Sequence, residues 1–526
     1  MIRVSNIKVP LGFNFGDLWG LCVRQLKIPE KSLISVKLSK KSVDARRKND
    51  VHFIISVDIS AKGEQKLLKQ LKNASPVEEF TYIVPQKSAE KPPVVVGFGP
   101  AGMFAALVLA MAGARPIVLE RGQDVDSRVK AVENFQIGGR LNPESNVQFG
   151  EGGAGTFSDG KLTTGIKDKR IQTVLKWLVE FGAPEEIAYL AKPHIGTDKL
   201  RDTVKNLRKR VIQLGGDVRF GAKFDGYTTE NSRVTSISYT DSEGSHSIET
   251  DNVILATGHS ARDVFELLYD KNVDMSQKNF AIGMRIEHLR KDIDRAMYGD
   301  YAGHPALKAA DYKLAVHLPD GRAAYTFCMC PGGEVVAASS EDGRLAVNGM
   351  SCFARDDVNS NSALLVNVTP DDFVSEHPLA GMYFQRDIEE KAYIAGGSDY
   401  SAPVILVGDF LDNRLSVEFG RVQPSYRPKV KFAMPQEYLP EFVCRSLKSG
   451  IVEMGRKIKG FDDKDAVLTG VESRSSSPVR INRSESLESL SVGGLFPCGE
   501  GAGYAGGIVS AAVDGMKCAE AVLRRI

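Results

Sequence analysis

The sequence contains no long hydrophobic run, and its charges nearly cancel. No apolar stretch approaches the roughly 18 residues that are needed to span a bilayer, so we expect no membrane segment. The N-terminus lacks a basic segment followed by an apolar one, so no secretory signal is expected. With 68 Lys and Arg against 66 Asp and Glu, the net charge of +2 argues against a dedicated nucleic-acid coat protein. A hydrophobic content of 42% is typical of a globular chain.

Cysteine and histidine are few and are not spaced as metal ligands. The seven cysteines contain no CxxC pair, and the eight histidines contain no HxxxH or HExxH spacing. This pattern argues against a structural zinc site, and we predict no bound metal. An odd number of scattered cysteines without a signal peptide predicts reduced thiols and a cytoplasmic location.

Glycine is abundant, with 50 residues. A buried strand over 94–96 is predicted to lead into a GxGxxG turn formed by Gly97, Gly99 and Gly102. Such glycines allow a tight turn, a close approach of the backbone to a pyrophosphate, and close packing of helix on strand. Glu120 follows roughly 20 residues later, where an acid binds ribose hydroxyls and disfavours a 2′-phosphate. We interpret this unit as a dinucleotide site; an ordinary glycine-rich turn is the alternative.

Two later segments suit a bound cofactor. The segment 251–256 is predicted to form a buried strand that ends in a small turn at Gly258. The segment 494–498 is predicted to deliver Glu500 into a glycine-rich turn, with a new helix beginning near Gly507. The amides and partial positive charge at a helix N-terminus suit the pyrimidine edge of a flavin, which becomes anionic on reduction.

The first 88 residues are predicted to form a separate unit. The pattern is βαββαβ, which is the split βαβ or ferredoxin-like order, with strands over 2–9, 34–38, 51–59 and 80–84 and helices over 15–26 and 64–71. A basic run lies between the middle strands and consists of Lys40, Lys41, Arg46, Arg47 and Lys48. It is interpreted as a solvated hairpin tip or as a contact site for an acidic partner or RNA.

These elements, in this order, make the chain resemble FAD-dependent oxidoreductases of the glutathione-reductase-like flavoprotein superfamily. More narrowly, it is similar to a bacterial family of NAD(FAD)-utilising dehydrogenases, and the resemblance extends over nearly the whole chain. The segments that carry it are 40–46, 149–161, 193–198, 283–288, 328–333 and 472–480. The resemblance implies FAD as the cofactor and leaves NAD(H) open as an electron partner.

The resemblance also implies an α/β fold with three units. An FAD/NAD(P)-binding Rossmann-like three-layer domain is expected over 93–275 and 440–526. A mixed α+β substrate or lid domain is expected as an insertion over 276–439, and the N-terminal ferredoxin-like α+β module as residues 1–88.

The cofactor residues follow from matching this sequence to the superfamily motifs. Glu500 is expected at the ribityl hydroxyls, although the superfamily usually has Asp at this position. The expected FAD-binding residues are Gly97, Gly99, Pro100, Ala101, Gly102, Glu120, Arg121, Gly153, Gly155, Thr156, Lys161, Gly258, Gly499, Glu500, Gly506, Gly507 and Ile508.

Catalytic and substrate residues are less well marked. Lys161 is a candidate to stabilise negative charge on reduced flavin or to anchor an anionic substrate, and a solvated loop lysine is the alternative. His194 is a candidate for proton transfer, or else a packed histidine at a helix entry. Arg474, Ser475 and Cys330 are substrate candidates. Arginine beside serine suits a carboxylate or phosphate, or else a solvated edge.

Cys328 and Cys330 suggest a redox dithiol, but a regular strand argues against one. Residues two apart on a strand have nearly parallel Cα–Cβ bonds, so a disulfide would require a break in the strand. A cysteine pair beside the first GxGxxG unit, as in the disulfide-reductase branch of the superfamily, is also lacking. We therefore expect no thiol–disulfide reductase chemistry, and we expect Cys498 to be a small apolar residue near the flavin.

The function expected from these observations is that of a soluble FAD-dependent oxidoreductase. It would move a hydride between a small-molecule substrate and flavin N5, with no membrane partner. Two alternatives stay open: flavin-dependent RNA modification with the basic N-terminal module as the RNA contact, and a non-catalytic FAD-binding sensor. Neither the substrate nor the oligomeric state is indicated by the sequence.

Overall fold

The computed structural model describes residues 1–78, 80–373 and 375–526. The N-terminal elements are β1 (Ile2–Val9), α1 (Leu18–Arg24), β2 (Leu33–Asp44), β3 (His52–Ala61), α2 (Glu64–Gln70) and β4 (Ala74–Pro76). They form an antiparallel sheet in the order β2-β3-β1-β4, which is the order of the split βαβ pattern. Alternate residues of β3, such as Phe53 and Ile55, lie in the core of this unit.

The strand expected over 80–84 is wrong. The fourth strand is instead β4, which pairs with the first residues of β1. After β4 the chain leaves this sheet and runs along the next unit. There the Tyr82 hydroxyl donates to Glu520 Oε1 at 2.8 Å, and the ring lies edge-on to Trp177. These contacts hold the segment against helices rather than against a strand.

The next part of the chain alternates strands and helices. Its elements are β5 (Val94–Val96), α3 (Pro100–Ala112), β6 (Ile117–Glu120), α4 (Val125–Gln136), α5 (Arg170–Glu180), α6 (Thr197–Gln213), β7 (Asp217–Phe220), β8 (Lys223–Glu230), β9 (Arg233–Asp241), β10 (Gly244–Glu249), β11 (Val253–Leu255) and α7 (Arg262–Asp270). Strands β8, β9 and β10 form an antiparallel sheet of their own.

The middle of the chain is richer in antiparallel strands. Its elements are β12 (Met275–Gln277), β13 (Phe280–Leu289), α8 (Arg290–Tyr298), β14 (Ala315–His317), β15 (Ala323–Cys330), β16 (Glu334–Ala337), β17 (Val347–Met350), β18 (Asn359–Val368), α9 (Ala380–Gly396), β19 (Ala402–Leu406), α10 (Val407–Leu411) and β20 (Val430–Phe432). The final elements are α11 (Glu441–Lys457), β21 (Val467–Glu472), β22 (Val479–Ile481), β23 (Leu495–Pro497) and α12 (Ile508–Arg525).

A parallel five-stranded sheet in the order β23-β11-β5-β6-β7 forms the centre of one domain. Successive residues of β5 face opposite sides of it, as the twofold repeat of a strand requires. Val95 packs with residues of α3 and α12. Val94 and Val96 pack with the β8–β10 sheet and α7 on the other side. Strands separated by almost the whole chain therefore share one three-layer domain.

A seven-stranded sheet, β14-β15-β18-β13-β21-β19-β20, forms the centre of the other large domain. The domain boundary expected at residue 440 does not coincide with the end of this domain. Strand β21 pairs with β13 and β19 inside this sheet, and α11 packs on it through side chains such as Leu447 and Ile451. The chain therefore rejoins the parallel sheet only at β23. The short pair of β12 and β22 lies between the two domains in sequence.

The basic run of the N-terminal module is only partly a hairpin tip. Lys40 and Lys41 lie within β2, and only residues 46–48 lie in the connection to β3. The Lys41 ammonium lies over the rings of Phe15 and Phe53, at 4.2 and 4.3 Å from their centroids. The Lys41 backbone also exchanges hydrogen bonds with the segment 189–191. Lys41 is thus occupied in joining the module to the rest of the chain.

Across the described ranges, no helix combines the length and the apolar character needed to cross a membrane.

Candidate functional site

The GxGxxG turn connects β5 to α3 with its three glycines in different roles. Gly97 has φ +95°, and a Cβ there would lie 2.4 Å from the Ala256 carbonyl oxygen. A Cβ on Gly102 would lie 1.9 Å from the Gly97 carbonyl oxygen, so this glycine lets the helix approach the strand. At Gly99 the nearest atom to such a Cβ is Gly153 Cα at 3.7 Å. A Cβ on Gly99 would therefore clash with nothing, and Gly99 itself borders an open space.

That space is a cavity of about 590 Å³ at the carboxyl ends of the parallel strands. It extends from the GxGxxG turn to the seven-stranded sheet and is within the usual size range of small-molecule sites. Most of the residues expected to bind FAD line it: Gly97, Gly99, Pro100, Ala101, Glu120, Arg121, Gly153, Gly155, Lys161, Gly258, Glu500, Gly506, Gly507 and Ile508.

The other three expected residues lie behind the cavity wall and have structural contacts. Gly102 packs against Gly97, as described above. The Thr156 hydroxyl donates to the Glu151 carbonyl oxygen at 3.1 Å. Gly499 has φ +77°, and its amide donates to Asp514 Oδ2 at 2.7 Å.

Glu120 is held at the cavity by backbone amides. One carboxylate oxygen accepts from the Phe98 amide at 2.8 Å, and the other accepts from the Gly122 and Gly150 amides at 2.9 Å. An ionised carboxylate offers about four lone-pair positions, so these three bonds leave capacity for one further donor. Glu120 thus orders the surrounding loops and still presents an acceptor to the cavity.

Lys161 lies at the far end of the cavity in a buried group of charges. Its ammonium donates to Asp159 Oδ2 at 2.7 Å and to the Met329 carbonyl oxygen. Asp159 also accepts from the Arg355 guanidinium at 2.8 and 2.6 Å. Burial opposes the charge on Lys161, but Asp159 and the nearby Cys330 and Cys328 outweigh it and raise the pKa of Lys161. The ammonium is therefore a permanent positive charge on the wall.

Strand β15 contains a bulge where it reaches the cavity. The pairing of β15 with β18 shifts register between Phe327 and Cys330, and Cys328 has φ +41°, a left-handed value that is uncommon outside glycine. Cys328 lies on the cavity wall, whereas Cys330 is buried behind it. The regular strand assumed for these two cysteines is thus incorrect, and the thiol that faces the cavity is that of Cys328.

Arg474 and Ser475 line the cavity, but both are bonded to the protein. The Arg474 guanidinium donates to both oxygens of buried Glu389 at 2.9 and 2.7 Å and to Ser340 Oγ at 2.5 Å. The Ser475 hydroxyl donates to the Ala281 carbonyl oxygen at 2.7 Å. Breaking a buried ion pair costs stability, so in this structure the Arg474 guanidinium stabilises the cavity wall through Glu389.

His194 is fully buried beside Lys161 rather than on the cavity wall. Its Nε2 lies 3.1 Å from the Phe353 carbonyl oxygen, and its ring stacks on that of Phe353. Burial and the nearby Arg355 lower the pKa of His194 to about 4. These contacts match the packed-histidine alternative and place the imidazole away from the cavity.

His259 is a cavity residue that the sequence reasoning missed. It follows Gly258 directly, so the glycine turn was a signal for it. Its Nε2 lies 3.8 Å from Glu500 Oε1. Burial, together with Arg474 and Arg262, lowers the pKa of His259 to about 3, while burial raises the pKa of Glu500 to about 7. A neutral imidazole therefore stands beside a carboxyl group that changes protonation near neutral pH.

The residues present fit a flavin dinucleotide. The bare backbone of Gly99 and Gly153 can approach a pyrophosphate, and Glu120 retains one acceptor position for a ribose hydroxyl. Next to these glycines, Gly155 lies beside the N-terminus of α12, where a Cβ on Gly155 would come within 3.3 Å of Ile508. Backbone without bulky side chains, here the 3-10 helix Gly153–Phe157, next to the amides of α12 suits a ring that gains negative charge on reduction.

A parallel sheet with a glycine turn and a cavity at the carboxyl ends of its strands is the usual arrangement of nucleotide-cofactor-binding domains. Residues 279–475 match the family described as "FAD-dependent protein, C-terminal domain-like", and residues 1–60 match a domain of unknown function, DUF8436. The chain is 49% identical over 530 residues to an "Uncharacterized protein" of Clostridium beijerinckii, covering 100% of this chain and 99% of that protein. The chain belongs to the same family as this clostridial protein, and the family match supports FAD as its cofactor.

Several solved structures resemble the chain at low sequence identity. The flavin-dependent brominase Bmp2 has a TM-score of 0.38 and 12% identity, covering 83% of this chain and 79% of that one. A geranylgeranyl bacteriochlorophyll reductase-like protein from Thermoplasma acidophilum has a TM-score of 0.37 and 14% identity, covering 82% and 78%. OxyS anhydrotetracycline hydroxylase from Streptomyces rimosus has a TM-score of 0.24 and 18% identity. That match covers 54% of this chain and 47%, or about half, of the hydroxylase.

Proposed function

We propose that this chain is an FAD-dependent oxidoreductase of the glutathione-reductase-like superfamily. It would transfer a hydride between a small-molecule substrate and flavin N5. The observation that carries this proposal is the single cavity that joins the GxGxxG turn to Lys161, Cys328 and Glu500. Residues expected to bind the nucleotide and polar side chains of the second domain line one space, which supports a shared site for a cofactor and its substrate.

In this proposal the chain holds FAD along the cavity. Gly99 and the N-terminus of α3 would bind the pyrophosphate, and Glu120 a ribose hydroxyl. Gly155 and the N-terminus of α12 would lie beside the ring. When bound, FAD supplies two-electron chemistry, and the protein orients it and sets its charge environment.

The charged groups at the ring end have distinct proposed roles. Lys161 keeps its charge and would stabilise an anion in the cavity. Glu500 would hold or release a proton, since its pKa of about 7 lets both forms exist at neutral pH. His259 would accept a hydrogen bond as a neutral imidazole. NAD(H) is retained as a candidate electron partner that would have to reach this same end of the cavity.

The proposal is tested by flavin binding to the full chain. We expect the purified protein to show flavin absorbance or to bind added FAD. Gly99→Ala should weaken FAD binding by about tenfold or more, or by at least ~1.4 kcal/mol, because its methyl group would enter the pyrophosphate position. The backbone of Gly99, with φ −79°, accepts alanine, so the fold should be retained.

The matched control is Gly165→Ala. A Cβ at Gly165 would have open space around it within the described part of the chain. This variant should bind FAD as the unchanged protein does, measured by quenching of FAD fluorescence. A colourless protein that takes up no FAD would contradict the proposal, and so would equal affinities of the two variants.

A further inference from the structure

The bulge in β15 gives Cys328 a left-handed backbone and places Cys328 and Cys330 on different sides of the cavity wall. Cys328 is half-buried on the cavity wall, and Cys330 is fully buried one residue beyond Met329. The left-handed backbone at Cys328 removes the parallel Cα–Cβ geometry of a regular strand. The Cys330 thiol donates a hydrogen bond to the carbonyl oxygen of Cys328 at 3.3 Å, so it lies against the backbone of Cys328.

Two cations stand against this pair. The Arg285 guanidinium donates to the Cys328 carbonyl oxygen at 2.7 Å, and the same nitrogen lies 3.8 Å from Cys330 Sγ. Lys161 donates to the Met329 carbonyl oxygen between the two cysteines. A hydrogen bond from Cys330, together with Lys161 and Arg285, lowers the pKa of the Cys328 thiol despite its burial, whereas that same hydrogen bond and burial raise the pKa of the Cys330 thiol. Low-pKa thiols in partly exposed, electropositive surroundings are the reactive ones.

The other cysteines lack this combination. Cys352 is exposed, and the pKa of its thiol is raised by partial burial and by nearby acids such as Asp198. Cys498 lines the cavity beside Cys518, but burial and the neighbouring thiol raise the pKa of Cys498. Cys22 and Cys444 are buried in apolar surroundings, which raise the pKa of both thiols to about 11. Only the β15 pair joins a cavity-facing thiol, a second thiol and two cations within the described residues.

We propose that Cys328 and Cys330 are a redox-active dithiol whose substrate class is a small-molecule or peptide disulfide. Cys328 would be the attacking thiol and Cys330 the resolving thiol. The inference deepens the proposed function, on which it rests for the source of electrons. It also revises the expectation that thiol–disulfide chemistry is excluded, because that expectation assumed an unbroken strand.

The proposed reaction balances as two exchanges. The Cys328 thiolate attacks one sulfur of the substrate disulfide, forms a mixed disulfide and releases the first substrate thiolate. The Cys330 thiolate then attacks Cys328 Sγ, closes the Cys328–Cys330 disulfide and releases the second substrate thiolate. Cys330 loses its proton to one released substrate thiolate as it attacks, and the other substrate thiolate takes a proton from water. The protein disulfide returns to the dithiol by taking up two electrons and two protons, with reduced flavin as the electron source.

The dithiol is tested in the full-length, flavin-free protein with oxidised glutathione as the probe. Free thiols are alkylated afterwards, and the protein is digested with trypsin. The peptide 323–344 contains Cys328 and Cys330 and no other cysteine. We expect it to be recovered without alkyl groups and lighter by two hydrogens, which is the mass of an internal disulfide.

Single substitutions separate the two roles. Cys330→Ser should carry one glutathione on Cys328, because the resolving thiol is missing. In Cys328→Ser the peptide 323–344 should carry none, because Cys330 is buried behind the cavity wall. Cys352→Ser is the matched control and should behave as the unchanged protein. Recovery of both thiols alkylated in the unchanged protein would overturn the proposal, as would Cys330→Ser without an adduct.

A second measurement uses only the unchanged protein, so it does not depend on whether the variants fold. It compares the alkylation rates of two cysteines. In the unchanged protein at slightly acidic pH, iodoacetamide should label Cys328 about tenfold or more faster than Cys352, because more of Cys328 is thiolate. Equal rates would also overturn the proposal. Because both measurements use flavin-free protein, their failure is distinct from failure of FAD binding. If the disulfide forms but FAD does not bind, the dithiol stands and the proposed function falls.

Discussion

At the scale of single residues, Glu500 is the clearest pH-sensitive group of the cavity. Its side chain is 27% exposed, and burial raises its pKa to about 7 from a reference value of 4.5. The folded protein therefore binds this proton more tightly than the unfolded chain does. The resulting stabilisation is complete below about pH 4.5 and is lost as the pH rises through about 7.

We therefore expect Glu500→Gln to stabilise the flavin-free protein at pH 8 but not at pH 5. At pH 8 the buried charge is removed, and the gain should be on the order of 1–3 kcal/mol, or a few degrees in melting temperature. Thermal unfolding at both pH values measures this. The control is Glu485→Gln at an exposed position, which should show no pH-dependent difference from the unchanged protein. An equal effect of Glu500→Gln at both pH values would contradict the pKa shift.

Asp159 is the buried anion that holds Lys161 and Arg355 in place. Its contacts with the two cations lower the pKa of Asp159 despite burial. Asp159→Asn should cost roughly 3–5 kcal/mol of stability, because it leaves two buried cations without their anion. A melting curve measures the loss, and Asp356→Asn, at an exposed position next to Arg355, is the control. Equal melting temperatures for the two variants would show that Asp159 has no such role.

Residues with a backbone role were the easiest to anticipate. Gly97 and Gly102 have the backbone roles that the GxGxxG spacing implies, and Glu120 lies on the cavity as expected. The close approach of Gly99 to a pyrophosphate stays a prediction. His259 was missed although the turn at Gly258 directly before it was a signal, because a single histidine has no motif spacing of its own. The ion pair of Arg474 with Glu389 was also hidden, since 85 residues separate its partners in the chain. Local spacing reports backbone geometry, whereas ion pairs depend on the folded chain.

At the scale of elements, helix α12 from the end of the chain packs on helix α3 in the parallel-sheet domain. A Cβ on Gly515 would lie 2.0 Å from the Ala101 carbonyl oxygen, so the helices touch at this glycine. Gly515→Ala should force them apart and cost about 1–3 kcal/mol. Because α3 and α12 both begin at the cavity, FAD binding should weaken together with stability.

The comparison with Gly99→Ala and Gly165→Ala makes this prediction specific. Gly515→Ala should lower the melting temperature and FAD affinity together, Gly99→Ala only the affinity, and Gly165→Ala neither. Thermal unfolding and FAD titration of the three variants measure both quantities. A Gly515→Ala variant with unchanged melting temperature would contradict the close contact of the two helices.

Element prediction failed where a regular pattern was interrupted. The hydrophobic alternation of β3 correctly indicated a strand with one buried face. The apolar segment 80–84 looked like another strand, but its tyrosine packs on helices instead. The bulge in β15 has no marker in the sequence, because Cys328 is not a residue type that signals a left-handed backbone. Period-two patterns therefore locate strands but do not reveal their breaks.

At the scale of the whole molecule, the cavity depends on two domains that the chain builds discontinuously. The parallel sheet combines β5, β6, β7 and β11 with β23, and the seven-stranded sheet includes β21 from the C-terminal part. In the sequence, short glycine-rich segments indicated the parallel-sheet domain. The position of α11 and β21 was not marked, because their apolar residues fit either sheet equally well.

The central claim is that separate glycine turns form one site for a single FAD molecule. The most direct measurement is an experimental density map of the full-length protein after incubation with FAD. The account predicts density for one FAD, with its pyrophosphate at Gly99, its adenosine ribose at Glu120 and its ring between Lys161 and Glu500. Density for FAD elsewhere, or a cavity without it at saturating FAD, would contradict the account.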